Sequence, residues 1–326
     1  MLNKSNNLNL VKKLYFQMLR LRHIELEISR RYKENKMRCP VHLSIGQESI
    51  PIAVCNNLNR NDLMLSTHRA HYHYLAKGGD LKSMISELYG KETGCNLGLG
   101  GSMHLKDLHA GLVAAVPIVG STIPIGVGLA WALKLEKSNN IVVIFFGEGS
   151  TEEGVFHESL NFASLHDLPI LFVCENNMYS VYSHLDKRQH SQRSITKISK
   201  ANGISSQKID STNIIQINEL SKKVIKDIKR KKKPQLIEFL TYRHFEHCGP
   251  NTDDHLEYRN KKEIDFWFNK CPINFIEKKY LKKNFLNSNE YKKNIFNINK
   301  EINIAFNFAE KSKFPKKDLI DKYIYA

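Results

Sequence analysis

Ile141-Val142-Val143-Ile144-Phe145-Phe146-Gly147-Glu148-Gly149 decides the fold. Six consecutive apolar residues, rich in β-branched and aromatic types, predict a strand covered on both faces, since a half-wet strand would alternate apolar with polar positions. After the Gly147-Glu148-Gly149 turn, Val155, Phe156, Leu160, Phe162 and Leu165 recur at helical spacing between Glu152 and His166. Pro169 to Cys174 is a second apolar run, ending at Asn176-Asn177. Strand, helix and strand of these lengths form a βαβ unit, so the two strands should be parallel with a right-handed crossover. Ligands of such sheets sit outside the carboxyl ends of the strands. Glu148 and Asn177 both fall there.

The flanking sequence predicts a doubly wound α/β fold with a mainly parallel sheet and helical extensions at both ends. We read residues 1–326 as a single domain. It comprises a helical segment over 1–40, an α/β core over 41–256 and a basic helical extension over 257–326. Ile45-Gly46-Gln47-Glu48 opens a helix through Cys55, and a short buried strand spans about Asp62 to Leu65. Ser66 to His71 reads as a loop and residues 80–90 as a helix. A Gly-rich loop carries Gly94, Gly98, Gly100 and Gly101, and Ser121 to Leu135 reads as a helix buried against the sheet. Ile214 to Lys231 is helical and Gln235 to Thr241 a further strand. Trp131 and Phe156 fall at core spacing.

Composition narrows the functional classes. A hydrophobic content of 41% over 326 residues is enough for a substantial core. No apolar run reaches the ~18 residues of a spanning helix, and the N-terminal pattern interleaves apolar residues with Lys and Arg, unlike a signal peptide. A cytoplasmic protein without membrane contact is expected. The six cysteines form no CxxC pair and no metal-ligand spacing, so reduced thiols are expected, Cys248 being the best placed to react. The net charge of +16 raises a nucleic-acid reading. Lys is spread along the chain, however, and the one dense run, Lys229 to Lys233, follows a helix whose C-terminal dipole it complements. No nucleic-acid partner is expected.

A diphosphate chelated to a divalent ion needs backbone N–H groups, oxygen ligands and cationic side chains. Gly147 and Gly149 permit a tight turn and close backbone approach. Ser150 and Thr151 would begin a helix whose N–H groups face phosphate. Glu148 and the Asn177 amide are hard oxygen ligands suited to magnesium.

The stretch from His42 to Arg259 resembles the α subunit of the E1 component of 2-oxo-acid dehydrogenases, the pyruvate and acetoin branch. The resemblance runs through His42-Leu43-Ser44-Ile45-Gly46-Gln47-Glu48, Ser66-Thr67-His68-Arg69, and Tyr74 to Gly79. It continues through Gly100 to His104, Ile118-Val119-Gly120, Gly147-Glu148-Gly149, Cys174 to Tyr179 and Thr241-Tyr242-Arg243. It implies thiamine diphosphate and Mg2+ as cofactors, with His68 and Arg69 on the diphosphate and the backbone at Pro117 and Val119 on the aminopyrimidine. Glu148, Asn177 and the Tyr179 carbonyl would ligate the metal, with Gly147, Gly149 and Ser150 on the phosphates. His71 and His247 would line the pocket as catalytic histidines, while His42 and Glu48 would hold packing and capping positions.

The implied activity is decarboxylation of a 2-oxo acid, or cleavage of acetoin, with acyl or aldehyde transfer to an acceptor, a lipoyl-bearing E2 among the candidates. The activating glutamate would come from a β subunit in an α2β2 assembly. A non-oxidative carboligase subunit and a non-catalytic scaffold are the alternatives. Four positions depart from the family pattern. Glu148 stands for the usual Asp, Pro117 for a Gly, Leu99 for a basic residue, and Glu246 to Asn251 for a loop ending in His-Ser.

Overall fold

The computed structural model describes residues 4–280 and 287–324. Its centre is a six-stranded sheet of β1 (Leu63–Ser66), β2 (Leu112–Ala115), β3 (Val142–Gly147), β4 (Ile170–Asn176), β7 (Ser205–Asp210) and β8 (Gln235–Leu240). The spatial order is β2-β1-β3-β4-β8-β7 and every pairing is parallel. A two-stranded hairpin, β5 (Tyr179–Ser180) and β6 (Ser183–His184), follows β4.

The helices are α1 (Lys4–Tyr32), α2 (Ser49–Cys55), α3 (His71–Lys77), α4 (Leu81–Leu88), α5 (Thr122–Leu135), α6 (Gly154–Leu165) and α7 (Leu185–Arg188). They continue with α8 (Ile195–Ala201), α9 (Ile214–Lys231), α10 (Lys261–Asn269), α11 (Pro272–Tyr280), α12 (Ser288–Lys311) and α13 (Leu319–Ile324). None is long and apolar enough to cross a membrane.

The apolar runs of β3 and β4 divide by parity between two cores, as the period of two demands. Val143, Phe145, Leu171 and Val173 face one core with α1, α2, α4, α9 and α12. Val142, Ile144, Phe146, Ile170 and Phe172 face the other with α5, α6 and α8. The sheet is therefore wound on both faces, as expected. Phe156 is fully buried in the second core. Trp131 is only half-buried and closes the rim against Phe162 and His166.

The basic run at Lys229 to Lys233 is a tied helix end. Lys229 pairs with buried Asp62 at 2.6 Å, and Lys232, in the left-handed cap position, donates to the Ser138 carbonyl at 3.0 Å. All six cysteines are free thiols. Burial and the neighbouring Glu246 carboxylate hold the Cys248 thiol above its ordinary pKa, which argues against a nucleophile there.

The Gly-rich loop is organised by one carboxylate. Glu87, fully buried on α4, accepts four backbone N–H bonds, from Asn96, Gly98, Gly100 and Gly101, at 2.7, 2.9, 2.8 and 3.0 Å. Removing it leaves four part-buried backbone donors facing an emptied space. Glu87→Ala should cost about 3 kcal/mol, given roughly 1–3 kcal/mol for each orphaned group and partial rescue by water. Urea denaturation checks this, and an unchanged midpoint would show that the loop holds itself.

Candidate functional site

Because all six strands run in parallel, their carboxyl ends lie on one sheet edge, and an open cleft forms there over β1 to β4. Its walls come from Thr67 to Arg69 after β1, Val116 to Val119 after β2, Gly147 to Ser150 after β3, and Glu175 to Val181 after β4. His42, Gln47, Met103 and His247 complete the lining. Register explains the meeting of the two central motifs. Gly147 pairs with Glu175, so the turn after β3 and the end of β4 reach the edge together.

The turn after β3 differs from a helix start. Residues Glu148–Glu152 form a 3₁₀ turn, closed by Thr151 Oγ1 donating to the Glu148 carbonyl at 2.7 Å, and α6 begins only at Gly154. The N–H groups nearest a phosphate would therefore belong to the 3₁₀ turn and not to the helix expected from Ser150 and Thr151. A Cβ at Gly147 would meet nothing within 4 Å, while one at Gly149 would press on Ser180 Oγ at 3.1 Å. Gly147 thus leaves room at the cleft, and Gly149 lets the β5–β6 hairpin close.

Two walls of opposite character face each other. On the acidic wall, Glu148 is 2% exposed, and burial raises its carboxyl pKa despite the Arg188 guanidinium at 2.6 Å. Asn177 is oriented at both ends of its amide. Its Nδ2 donates to Gln47 Oε1 at 2.9 Å, and its Oδ1 accepts the Tyr179 N–H at 3.1 Å, leaving one lone pair of that oxygen. Met178 adopts a left-handed φ of 70° to bring Tyr179 beneath the cleft. Asn176 points elsewhere: it donates to Glu238 Oε1 at 2.8 Å and caps the Met178 N–H, so only Asn177 of the pair serves the cleft.

The basic wall holds His42, His68 and His247, with ring centroids 4.8, 5.2 and 5.3 Å apart. Their ring nitrogens gather within 4.8 Å of one another. Arg69 lies behind them, its guanidinium donating to the Leu43 carbonyl and, at 3.0 Å, to the His247 carbonyl. Burial, then Arg69, depress the three imidazoles to pKa values of about 3 for His42, 2 for His68 and 3 for His247. Burial and Arg243 lower Arg69 itself to about 9. A cation among the histidines would lie beside this guanidinium, 3.5 Å from His247 Nδ1, so the cluster suits an anion. His42 Nδ1 is buried without a hydrogen-bond partner, a polar atom an anion would satisfy.

The depressed histidines give stability a pH dependence of definite sign. Between about 3 and the ordinary 6.5, the unfolded chain binds protons that the native rings refuse, so stability rises with pH through that window. The unliganded melting temperature should fall from pH 7 to pH 5. His68→Gln should flatten that slope. Parallel slopes for the two proteins would remove the histidine explanation.

Most expected site residues reach this cleft: His68, Arg69, Pro117, Val119, Gly147, Glu148, Gly149, Ser150, Asn177, Tyr179 and His247 all line it. His71 does not. It is fully buried beneath the floor, with Nε2 2.7 Å from Ser102 Oγ and Nδ1 3.2 Å from Glu25 Oε1. It therefore supports the loop bearing Met103 and is corrected from a pocket histidine to a positioning one. His42 moves the other way, from packing to the cleft wall. Glu48 makes no side-chain cap on α2; its Oε1 pairs with Arg22 and accepts the Gly46 N–H at 3.1 Å.

The loop carrying His247 is pinned. Gly249 donates to the Val41 carbonyl at 2.8 Å and Ser29 Oγ to the Pro250 carbonyl at 2.7 Å. Glu246 turns back to cap the Asn251 N–H at 2.8 Å. One oxygen of its carboxylate thus helps hold the loop's own turn. Gln47, Glu175 and Arg188 were missed as site residues. The first two stood inside the quoted motifs, whereas Arg188 lies in a polar stretch with no pattern to mark it.

Comparison with known proteins agrees with this geometry. The dehydrogenase E1 component family matches residues 16–318. The α subunit of acetoin:2,6-dichlorophenolindophenol oxidoreductase from Bacillus subtilis is 32% identical over 314 residues, covering 95% of this chain and 92% of that protein. The pyruvate dehydrogenase E1 component α subunit of Porphyra purpurea is 31% identical, covering 100% of this chain and 96% of its own. That of Rickettsia bellii is also 31% identical, covering 96% and 95%. With its motifs meeting at one sheet edge and the match running nearly end to end, the chain belongs to the dehydrogenase E1 component family.

Proposed function

We propose that this chain is the α subunit of a thiamine-diphosphate-dependent E1 dehydrogenase, acting on a 2-oxo acid or on acetoin. One observation carries the reading. A buried carboxylate and an oriented amide oxygen face a wall of neutral histidines and arginine across a single cleft, as a metal-chelated diphosphate requires. When bound, thiamine diphosphate would supply the nucleophilic carbon and the electron sink needed to lose carbon dioxide from a 2-oxo acid, or an aldehyde from acetoin.

The protein's part is to hold and orient. Glu148, the Asn177 Oδ1 and the Tyr179 carbonyl would ligate Mg2+ as hard oxygen donors. Gly147 leaves room for the phosphates, which the 3₁₀ turn through Gly149 and Ser150 would meet with backbone N–H groups. His42, His68 and His247 would donate to phosphate oxygens from the opposite wall, with Arg69 adding charge. Pro117 and Val119, at the exposed lip, would present backbone to the aminopyrimidine ring.

A β subunit completing an α2β2 assembly, a lipoyl-bearing E2 as acceptor and a cytoplasmic location belong to this reading. So does the whole chain as one domain, since a single core cluster runs from Val11 on α1 to Ala309 on α12. Calorimetric titration of thiamine diphosphate with Mg2+, with and without the β subunit, tests it. Saturable, metal-dependent binding is expected; absence of binding in both arms would overturn it.

A further inference from the structure

The segment after the β5–β6 hairpin lies across the Glu148–Glu152 turn and is fastened there by two arginines. Arg188, on α7, places NH2 on Glu148 Oε1 at 2.6 Å, NH1 on Glu152 Oε1, and Nε on the Ser183 carbonyl at 3.1 Å. Gln189 Nε2 joins the same Glu152 oxygen at 2.7 Å. Five residues beyond Arg188, Arg193 holds Thr151 through its Oγ1 at 3.0 Å and its carbonyl. The two carboxylates that share Arg188 differ sharply. Glu148 is 2% exposed and lines the cleft, whereas the Glu152 side chain is 32% exposed and is not among the lining residues.

A buried carboxylate without a counterion is strongly destabilising. Glu148 has one such counterion among the described residues, Arg188. The longer arm of a glutamate is what lets it reach back to that guanidinium. We propose that Arg188 is the resident cation of the metal-free site, neutralising Glu148 until the divalent ion arrives and then yielding that carboxylate. This rests on the reading of Glu148 as a metal ligand. Arg188 has somewhere to go, because Glu152 and the Ser183 carbonyl already hold its other two nitrogens. Metal loading then exchanges one cation for another on the same oxygen, and the segment 183–193 stays anchored through Arg193 and Glu152. Metal affinity is thereby set partly by a residue outside the ligand set.

The exchange has a sign that an ordinary supporting residue would not produce. With the competing guanidinium gone, Mg2+ should bind the full chain about tenfold more tightly in saturating thiamine diphosphate, as expected when a buried charge loses its counterion. The experiment is calorimetric titration of Mg2+ into wild type, Arg188→Met, Arg188→Gln and Glu148→Gln. The gap in melting temperature between metal-free and loaded protein is read alongside. Both Arg188 variants should show tighter Mg2+ and a wider gap, the metal-free form melting lower. Unchanged or weaker Mg2+ binding in whichever Arg188 variant folds overturns the exchange, provided Glu148→Gln weakens binding. If Glu148→Gln leaves Mg2+ affinity unchanged, the ligand assignment itself falls, and the exchange with it.

Discussion

Replacing Glu148 by alanine is expected to lower the affinity for thiamine diphosphate in Mg2+ by more than about a hundredfold, since losing an outer-shell partner alone costs roughly 10- to 100-fold. Glu148 offers the one carboxylate at the end of β3, 2% exposed and set in a turn that Thr151 and Arg193 fix from behind. Neutral amide and carbonyl oxygens from Asn177 and Tyr179 could not compensate the ion's charge, which is why the loss should be large. The effect should vanish in excess chelator, where wild type and variant ought to bind the cofactor equally weakly. Stability provides the control. Burial already disfavours the charged Glu148 carboxyl, and in the variant Arg188 retains Glu152, so unfolding should shift by no more than about 1 kcal/mol. Equal cofactor affinity for the two proteins in Mg2+ would place the metal elsewhere. Glu148→Asp is the informative companion. It shortens the arm that reaches Arg188 while keeping a ligand oxygen, and it should retain metal-dependent binding.

Much of this site was legible because parallel sheets obey strong rules. The apolar runs of β3 and β4 could be nothing but doubly covered strands, and the helix between them fixed their direction. From that alone, Glu148 and Asn177 had to meet at one edge. What escaped notice had no periodic signal. β7 reads Ser205-Ser206-Gln207-Lys208-Ile209-Asp210, an edge strand whose polar, largely uncovered side chains hide it from any apolar template. β2 is four residues long, preceded by Gly111 and followed by Val116-Pro117, too short to show a period. His71 and His42 exchanged roles for a related reason. His42 opens a quoted motif and His71 follows one by two positions, but a motif does not say which side of the chain faces the ligand. His71 opens α3 and points under the floor toward Glu25, while His42 lies beside Gly249 and looks into the cleft. Arg188 was invisible because an ion pair to residue 148 leaves no trace at a separation of forty positions.

The purified chain alone is expected to show no turnover of pyruvate or acetoin, with activity at least about a thousandfold below that of the reconstituted α–β assembly, the scale on which loss of a catalytic group registers. The carboxylates of the cleft are the reason. An activating glutamate must be free to bond a ring nitrogen of the cofactor. Glu148 is engaged by the Arg188 guanidinium at 2.6 Å and, in the reading proposed above, would face the metal. Glu175, the other acid lining the cleft, is 7% exposed and engaged by His73 Nε2 at 3.2 Å, with His73 in turn 2.7 Å from Ser66 Oγ. That relay fixes Glu175 within the sheet, near the end of β4. The lip where Pro117 and Val119 stand is meanwhile open, with Ile118 69% and Val119 49% exposed. A second polypeptide seated over that lip could bring the missing acid. Adding the β subunit should restore turnover, whereas Glu175→Gln should leave the restored activity within about tenfold of wild type, as befits a supporting group. Robust turnover by the chain alone would contradict the half-site argument. If Glu175→Gln then abolished it, the activating carboxylate would be this chain's own.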